Sequence, residues 1–448
     1  MNSKNFYILA ILAHIGLGLL LFFFKPVGFL IAISIFLYGS FIINKNKDKN
    51  NEALLFSSYV VGAEVLLRMT GTSVFNEFAK YVVIIFLFYG IVHKGFSKKA
   101  IIYVFFILLF VPGIYIGIQN LNFDTNIRKA IAFNISGPIT LAVASIYCYG
   151  KEMSLNQLKS VFIALGLPIV SILTYVIFYS PSVKDVVTGT HSNFVTSGGF
   201  GPNQISTILG LGILVFFVLF LLYSKPSKRL LFLNFLIVIF MAYRAIVTFS
   251  RGGVYTGLTS SFVLLLFLYF YSNSKVKYIL FRVLTLVFFI GILVWSYSAI
   301  QTNGMIQNRY QNKDALGRVK QDKLGGREKI AETEIQMFLE NPLLGIGIGK
   351  NKEYREEMTG IVAASHNELT RMLAEQGLLG VLGLLLLLLV PILHFFENKE
   401  NIFLFSFYLF WLLTINHAAM RIAAPAFIYA LSLLKVTFTN ETKTPIHR

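Results

Sequence analysis

Long apolar runs separated by short polar stretches fill residues 6–300 and return after residue 376. Their hydrophobicity is continuous rather than alternating, which reads as buried or lipid-facing helix. A helix of about 20 such residues crosses a hydrocarbon core of roughly 30 Å. The runs at 6–24, 26–43, 53–70, 79–93, 100–119, 129–149 and 160–180 approach that length, as do those at 202–223, 231–250, 253–271, 278–300, 377–396, 402–420 and 422–437. The chain is therefore expected to be an all-α polytopic membrane protein of about 12–14 transmembrane helices. The first run, from Phe6 to Phe24, lacks a small-residue cleavage site and is followed at once by another. It reads as the first span rather than a removed signal peptide.

Between 301 and 376 the pattern becomes that of a soluble segment, with eleven basic and eleven acidic residues. Its start is basic, with Arg309, Lys313, Arg318, Lys320, Lys323, Arg327 and Lys329 against Asp314, Asp322 and Glu328. Residues 327–340 place Ile330, Ile335, Met337 and Phe338 among charges, predicting a short amphipathic helix. Asn341-Pro342 ends it, GIGIGK (345–350) forms a tight turn, and 366–376 begins a second helix that runs into the next span. Three regions follow: transmembrane helices in 1–300, a helical outer loop in 301–376, and C-terminal spans with a short tail in 377–448.

Composition agrees, at 56% apolar and 13% charged residues with a mean hydropathy of +0.70; a soluble domain carries about a quarter charged residues. The net charge of +18 raises a nucleic-acid partner, but the lysines cluster in short loops between apolar runs. Lys45, Lys47 and Lys49 occupy one loop, Lys94, Lys98 and Lys99 another, and Lys151 and Lys159 a third. The same alternate set continues with Lys225, Lys228 and Arg229, then Lys275 and Lys277. The intervening loops hold no basic residue in 71–78, then Arg128 and Lys129, and Lys184 alone in 181–201. A positive-inside bias accounts for this alternation without nucleic acid. Both termini are then cytoplasmic, and 181–201, Arg251 and 301–376 lie outside. The single cysteine, Cys148, excludes an internal disulfide and multi-cysteine metal or iron–sulfur sites. No internal repeat is apparent.

Candidate chemistry gathers at the outer end. Arg251 lies in TFSRGG, where Gly252 and Gly253 let the backbone bend and a ligand approach; the bland alternative is an arginine that snorkels to the interface. Arg244 precedes it by seven residues, on the same helical face two turns deeper, and the pair suits an anionic ligand. Arg327 opens the first loop helix, where a guanidinium and unpaired N–H groups make an anion site; otherwise it pairs with Glu328 or Glu332. His366, followed by Asn367, starts the second helix. It is either a backbone-satisfied cap or a general base for a sugar hydroxyl. GGFGPNQ (198–204), with Asn203, is either a helix cap or a loop that shapes the outer cavity. Glu64 with Arg68, and His417 with Arg421, are i, i+4 pairs of structural kind. GIGIGK lacks P-loop spacing.

Taken in order, GGFGPNQIS (198–206), TFSRGG (248–253), GGREKI (325–330), NPLLGIGIG (341–349) and SHNELTRMLAEQGLLG (365–380) resemble the bacterial O-antigen ligase and O-antigen polymerase superfamily. The resemblance covers about 195–396. It implies glycan transfer from an undecaprenyl-diphosphate carrier to a saccharide, lipid or protein acceptor hydroxyl. That transfer takes place at the outer (periplasmic) face of the cytoplasmic (inner) membrane, without metal or other cofactor. By that similarity Arg251 and Arg327, with Arg244 behind them, hold the diphosphate and His366 activates the acceptor. Asn203, Gly252, Gly253 and Asn367 shape the cavity. One departure is Ala331, where the family often has Leu four residues after the loop arginine. Ligase and polymerase remain open alternatives, with a slight lean to ligase. A transporter of the same lipid-linked glycan is the reading from another class, and the lack of repeated halves counts against it.

Overall fold

The computed structural model describes residues 3–224, 227–320 and 326–437; Lys225, Asp322, Lys323 and Gly325 lie outside the described residues. The first half contains α1 (Ser3–Phe23), α2 (Val27–Asn46), α3 (Glu52–Met69), α4 (Phe78–Lys94), α5 (Ile101–Leu108), α6 (Phe110–Asn120), α7 (Ile127–Cys148), α8 (Leu155–Tyr179) and α9 (Val183–Val186). It is followed by α10 (Pro202–Val218), α11 (Lys228–Ile246), α12 (Arg251–Phe270) and α13 (Ser274–Gln301). The polar segment holds α14 (Met305–Tyr310), α15 (Arg327–Glu340) and α16 (Asn351–Thr359), and the chain closes with α17 (Glu368–Glu397), α18 (Leu404–Ile415) and α19 (Ala423–Leu431). Every expected span contains helix, the last, 422–437, only over Ala423–Leu431 before it ends in a short strand, and the protein is an all-α polytopic membrane protein. Among the described residues ten helices are long and apolar enough to cross a membrane, with α5 and α6 counted as one. The expected spans outside that set are α3, which carries Glu52, Glu64 and Arg68, and the shorter α4, α18 and α19.

Of the ten long apolar helices, the span that α10 begins, Pro202–Tyr223, is the most buried, at 94% of its apolar stretch, whereas only 6% of that of α13 is buried. Close approach of α10 to α12 depends on small residues. A methyl group at Gly210 would sit 2.2 Å from the Gly253 carbonyl oxygen, and one at Gly257 would sit 2.6 Å from that of Gly210. Small-residue seams of this kind let membrane helices pack backbone to backbone.

The two ends of the bundle differ. At the lysine-rich end Lys99 pairs with Glu397 at 2.7 Å and Lys151 with Asp48 at 3.5 Å. There a short parallel pair, β1 (Glu152–Ser154) and β2 (Lys435–Thr437), ties the C-terminal end of the described chain to the start of α8. The opposite end carries the polar segment. The GIGIG turn clasps that segment to the bundle: the Ile348 amide donates to Gly113 of α6 at 2.8 Å and the Ile346 amide to Ala374 of α17 at 3.0 Å. Gly345, Gly347 and Gly349 all have positive φ, and a methyl at Gly347 would lie 2.5 Å from the Gly117 nitrogen. The glycines of this turn serve docking. Its helices α14 and α16 had no separate signal in the apolar pattern.

Candidate active site

Residues 248–250 break the chain between α11 and α12, with Phe249 at φ 60°. The Ser250 hydroxyl donates to Asn203 Oδ1 at 2.8 Å, and the Ser206 hydroxyl to the Ser250 carbonyl at 2.7 Å. These bonds fix the start of α12, and with it Arg251. Arg251 Nη1 donates to Asn312 Oδ1 at 2.8 Å and to the Arg309 carbonyl at 3.4 Å, while Arg309 Nε returns a bond to the Phe249 carbonyl at 3.1 Å. The two arginines thus strap α14 against the mouth of α12.

Arg327 is the first residue of α15, following Gly326 at φ 80°. It is half-buried and has no hydrogen bond or ion pair among the described residues. Burial first, then the nearby Arg251 charge, hold its pKa below the ordinary guanidinium value. Arg309 is depressed by burial and by both Arg251 and Arg327. The Arg251 charge thus reaches both Arg309 and Arg327, and like charges near one another disfavour the charged form.

His366 lies before α17, not on it: the helix begins at Glu368, with Asn367 Oδ1 capping the Leu369 amide at 2.9 Å. It therefore precedes the second helix rather than starting it, contrary to the sequence expectation. The extended segment 363–367 is held from three sides. Arg421 Nη2 donates to the Ser365 carbonyl at 2.5 Å and to Ala364 at 3.3 Å, and Arg355 Nη1 donates to the Ala363 carbonyl. The Ser365 hydroxyl donates to Glu334 Oε2 at 3.3 Å. Within this strap His366 Nδ1 is buried and has no hydrogen-bond partner among the described residues. Burial, then the charges of Arg421, Arg327 and Arg355, push its pKa down to about 4. At neutral pH the imidazole is uncharged and able to accept a proton.

Other expected residues sit differently. Arg244 and Arg251 are on separate helices, because α11 ends at Ile246. Arg244 is buried and donates to the Val176 and Ser180 carbonyls at 2.6 and 3.2 Å, satisfying the C-terminal end of α8. Its geometry is that of a brace. The space beside Gly252 is filled by the His417 ring, 2.3 Å from where a methyl would stand, and Gly253 abuts Ser206. Both glycines serve packing at this mouth rather than opening it.

Arg421, Arg68, Arg309 and His417 were not singled out for chemistry in the sequence. Arg68 donates to the Arg421 carbonyl at 2.9 Å, lies 3.5 Å from Glu64, and stands 5.6 Å from the Phe200 ring of the GGFGPNQ loop. Glu64 Oε2 accepts from the Ala423 amide at 2.6 Å, so its pairing with Arg68 also anchors α19. Arg421 Nε is buried without a partner. Its proximity to His366 had one available signal, the i, i+4 pairing of His417 and Arg421 at a span end.

On the far flank of the 363–367 strap lies a cavity of about 750 Å³, bounded by the start of α7, the 349–356 region, Ala364, Ser365 and Arg421. The acidic side chains on its floor are engaged. Arg371 bonds Glu368 and, at 2.6 Å, Glu375; Lys350 bonds Glu353 at 3.0 Å.

This architecture defines a class: a polytopic helical membrane protein that gathers arginines and an imidazole at one end of its bundle. Residues 236–385 match the O-Antigen ligase family, a match that supports the O-antigen ligase/polymerase superfamily. The match contains Arg251, Arg327 and His366, whereas Arg68, Arg421 and the α7 wall of the cavity fall outside it. No curated protein matches the chain.

Proposed function

We propose that this protein is a glycosyltransferase of the bacterial cytoplasmic (inner) membrane. It transfers a glycan from an undecaprenyl-diphosphate carrier to an acceptor hydroxyl at the outer, periplasmic face, in the manner of an O-antigen ligase. The observation that carries the reading is the half-buried, unpartnered Arg327 beside Arg251 and within electrostatic reach of His366. Guanidinium forks suit the oxygens of a diphosphate. Their placement at one end of the bundle fits a reaction at the membrane surface better than transport through the midplane.

In the reaction the acceptor oxygen attacks the anomeric carbon while the carbon–oxygen bond to the diphosphate breaks. The bonding pair leaves on the phosphate oxygen, where arginine charge stabilises it most as it develops. His366 takes the acceptor proton, and in-line attack inverts the anomeric centre. Diphosphate binding offsets the arginine charges that depress the imidazole, so the base strengthens when the donor is present. The apolar faces between spans receive the polyprenyl tail.

Reconstitution with purified lipid-linked oligosaccharide and candidate acceptors tests the reading. Transfer with inversion, persisting in EDTA, is the expected result; donor consumption that requires a divalent ion, or flipping without transfer, overturns it. Movement of one block indicates a ligase, and lengthening repeats the polymerase of the same superfamily.

A further inference from the structure

We infer that the cavity on the far flank of the His366 strap binds the acceptor saccharide, and that it is built for an uncharged, hydroxyl-rich glycan end. This rests on the proposed transfer, in which donor and acceptor must meet from two sides of one base. The volume, about 750 Å³, lies within the range of small-ligand sites, about 300–1,000 Å³.

The lining tells which chemistry fits. Four basic and five acidic side chains surround the space, so it carries no excess of cations for a phosphate. The buried ones are spent on each other, as in the Glu368–Arg371–Glu375 triad. Besides the exposed Asp124, Lys129, Lys352 and Glu356, what remains is amide. Asn122 and Asn126 use their Oδ1 atoms internally, on Lys350 and on the Lys129 amide, and keep their Nδ2 donors; Asn134 uses Nδ2 on the Ala130 carbonyl and keeps Oδ1 as acceptor. Neutral donors and acceptors presented together match sugar hydroxyls, which need both. One wall is Phe133, 41% exposed; an aromatic face accepts the polarised C–H edge of a pyranose.

The position relative to the base supports the assignment. Ala364 and Ser365 line the cavity, and His366 is the next residue. Arg421 lines it too, bonds the strap's carbonyls, and acts on the His366 imidazole. A hydroxyl against the Ala364–Ser365 wall of the cavity therefore stands one residue along the strap from the base.

The test uses the full chain in nanodiscs and saturation-transfer NMR with methyl glycosides of a neutral hexose, an N-acetylhexosamine and a hexuronic acid. Inorganic pyrophosphate binding is measured in parallel. Neutral and N-acetyl glycosides are expected to bind the wild type and the Arg327→Ala variant alike. Phe133→Ala weakens that binding by about tenfold, the scale of one lost aromatic contact. Asn122→Ala, in an exposed loop that tolerates change, weakens it less, and neither variant alters pyrophosphate binding. Undiminished glycoside binding in both variants, no glycoside binding in the wild type, or a preference for the uronic acid overturns the inference. Glycoside binding that fails in Phe133→Ala while pyrophosphate never binds keeps the saccharide site and removes the donor reading instead.

Discussion

The two flanks of the strap that carries His366 treat charge in opposite ways. On the cavity side, buried ions are matched, Arg371 sitting between Glu368 and Glu375; so is the pair that holds the strap itself, Arg355 donating to Glu334 at 2.5 Å with both side chains fully buried. On the other side, Arg327 and Arg309 have no carboxylate in any ion pair among the described residues; after burial, the Arg251 charge lowers the basicity of both, and the Arg327 charge lowers that of Arg309. Matched buried charge fixes shape, because breaking a pair leaves an ion stranded. Unmatched charge of one sign costs stability and is retained where a ligand of opposite sign completes it. The comparison therefore separates the residues that hold the strap from those that act across it.

The largest expected loss follows removal of the group between the flanks. His366→Ala is expected to lower the transfer rate by about 10²–10⁴-fold with an unchanged melting profile; normal transfer by the folded variant would reduce His366 to a packing residue. On the arginine flank, Arg327→Ala is expected to cost about 10²–10³-fold in kcat. Arg327→Lys and Arg251→Lys fall nearly as far, since an ammonium lacks the fork that grips two oxygens. Full activity of the lysine forms, measured with purified donor, reduces the site to simple charge.

Stability sharpens the contrast from the other direction. Arg355→Met strands Glu334, which also accepts from Asn351 at 2.8 Å and from Thr370 at 2.5 Å, and is expected to cost about 3–5 kcal/mol in chemical unfolding. Arg327→Gln relieves like-charge repulsion and leaves stability unchanged or raised. Equal destabilisation by the two would mean that both flanks are structural.

The spans were legible because lipid demands continuous apolar helix, and α15 was legible to the residue, Arg327–Glu340, from its amphipathic spacing and the Asn341-Pro342 stop. Pairing across the fold was not. Nothing local distinguishes Arg244, consumed by the carbonyls at the end of α8, from Arg327, which meets none, since both are arginines beside apolar helix. The glycine pair at 252–253 illustrates the same limit. Its permissive backbone was evident, but the occupant of the vacated space, His417, comes from a helix end more than 160 residues away. Arg421 escaped notice because its partners are backbone carbonyls of 364 and 365, which have no side-chain signature.

The smallest expected effect is a shift in pH dependence, and it tests whether the arginines reach the base at all. An unperturbed imidazole titrates near 6.5, whereas that of His366 is pushed down to about 4 by burial and then by Arg421 and Arg327. Between those values the unfolded chain binds a proton that the folded chain refuses, so this residue lowers stability as pH falls through that window. The free protein keeps its base neutral throughout it, which places the acid limb of kcat/KM near 4. Bound diphosphate cancels the arginine contribution but not the burial, so the acid limb of kcat, which reports the complex, lies higher. By linkage, protonation of His366 tightens diphosphate binding to the same extent. Arg327→Gln should move the kcat/KM limb upward and narrow the gap between the two limbs. Coincident limbs in the wild type, unmoved by that substitution, would mean that donor phosphate and imidazole occupy unconnected sites.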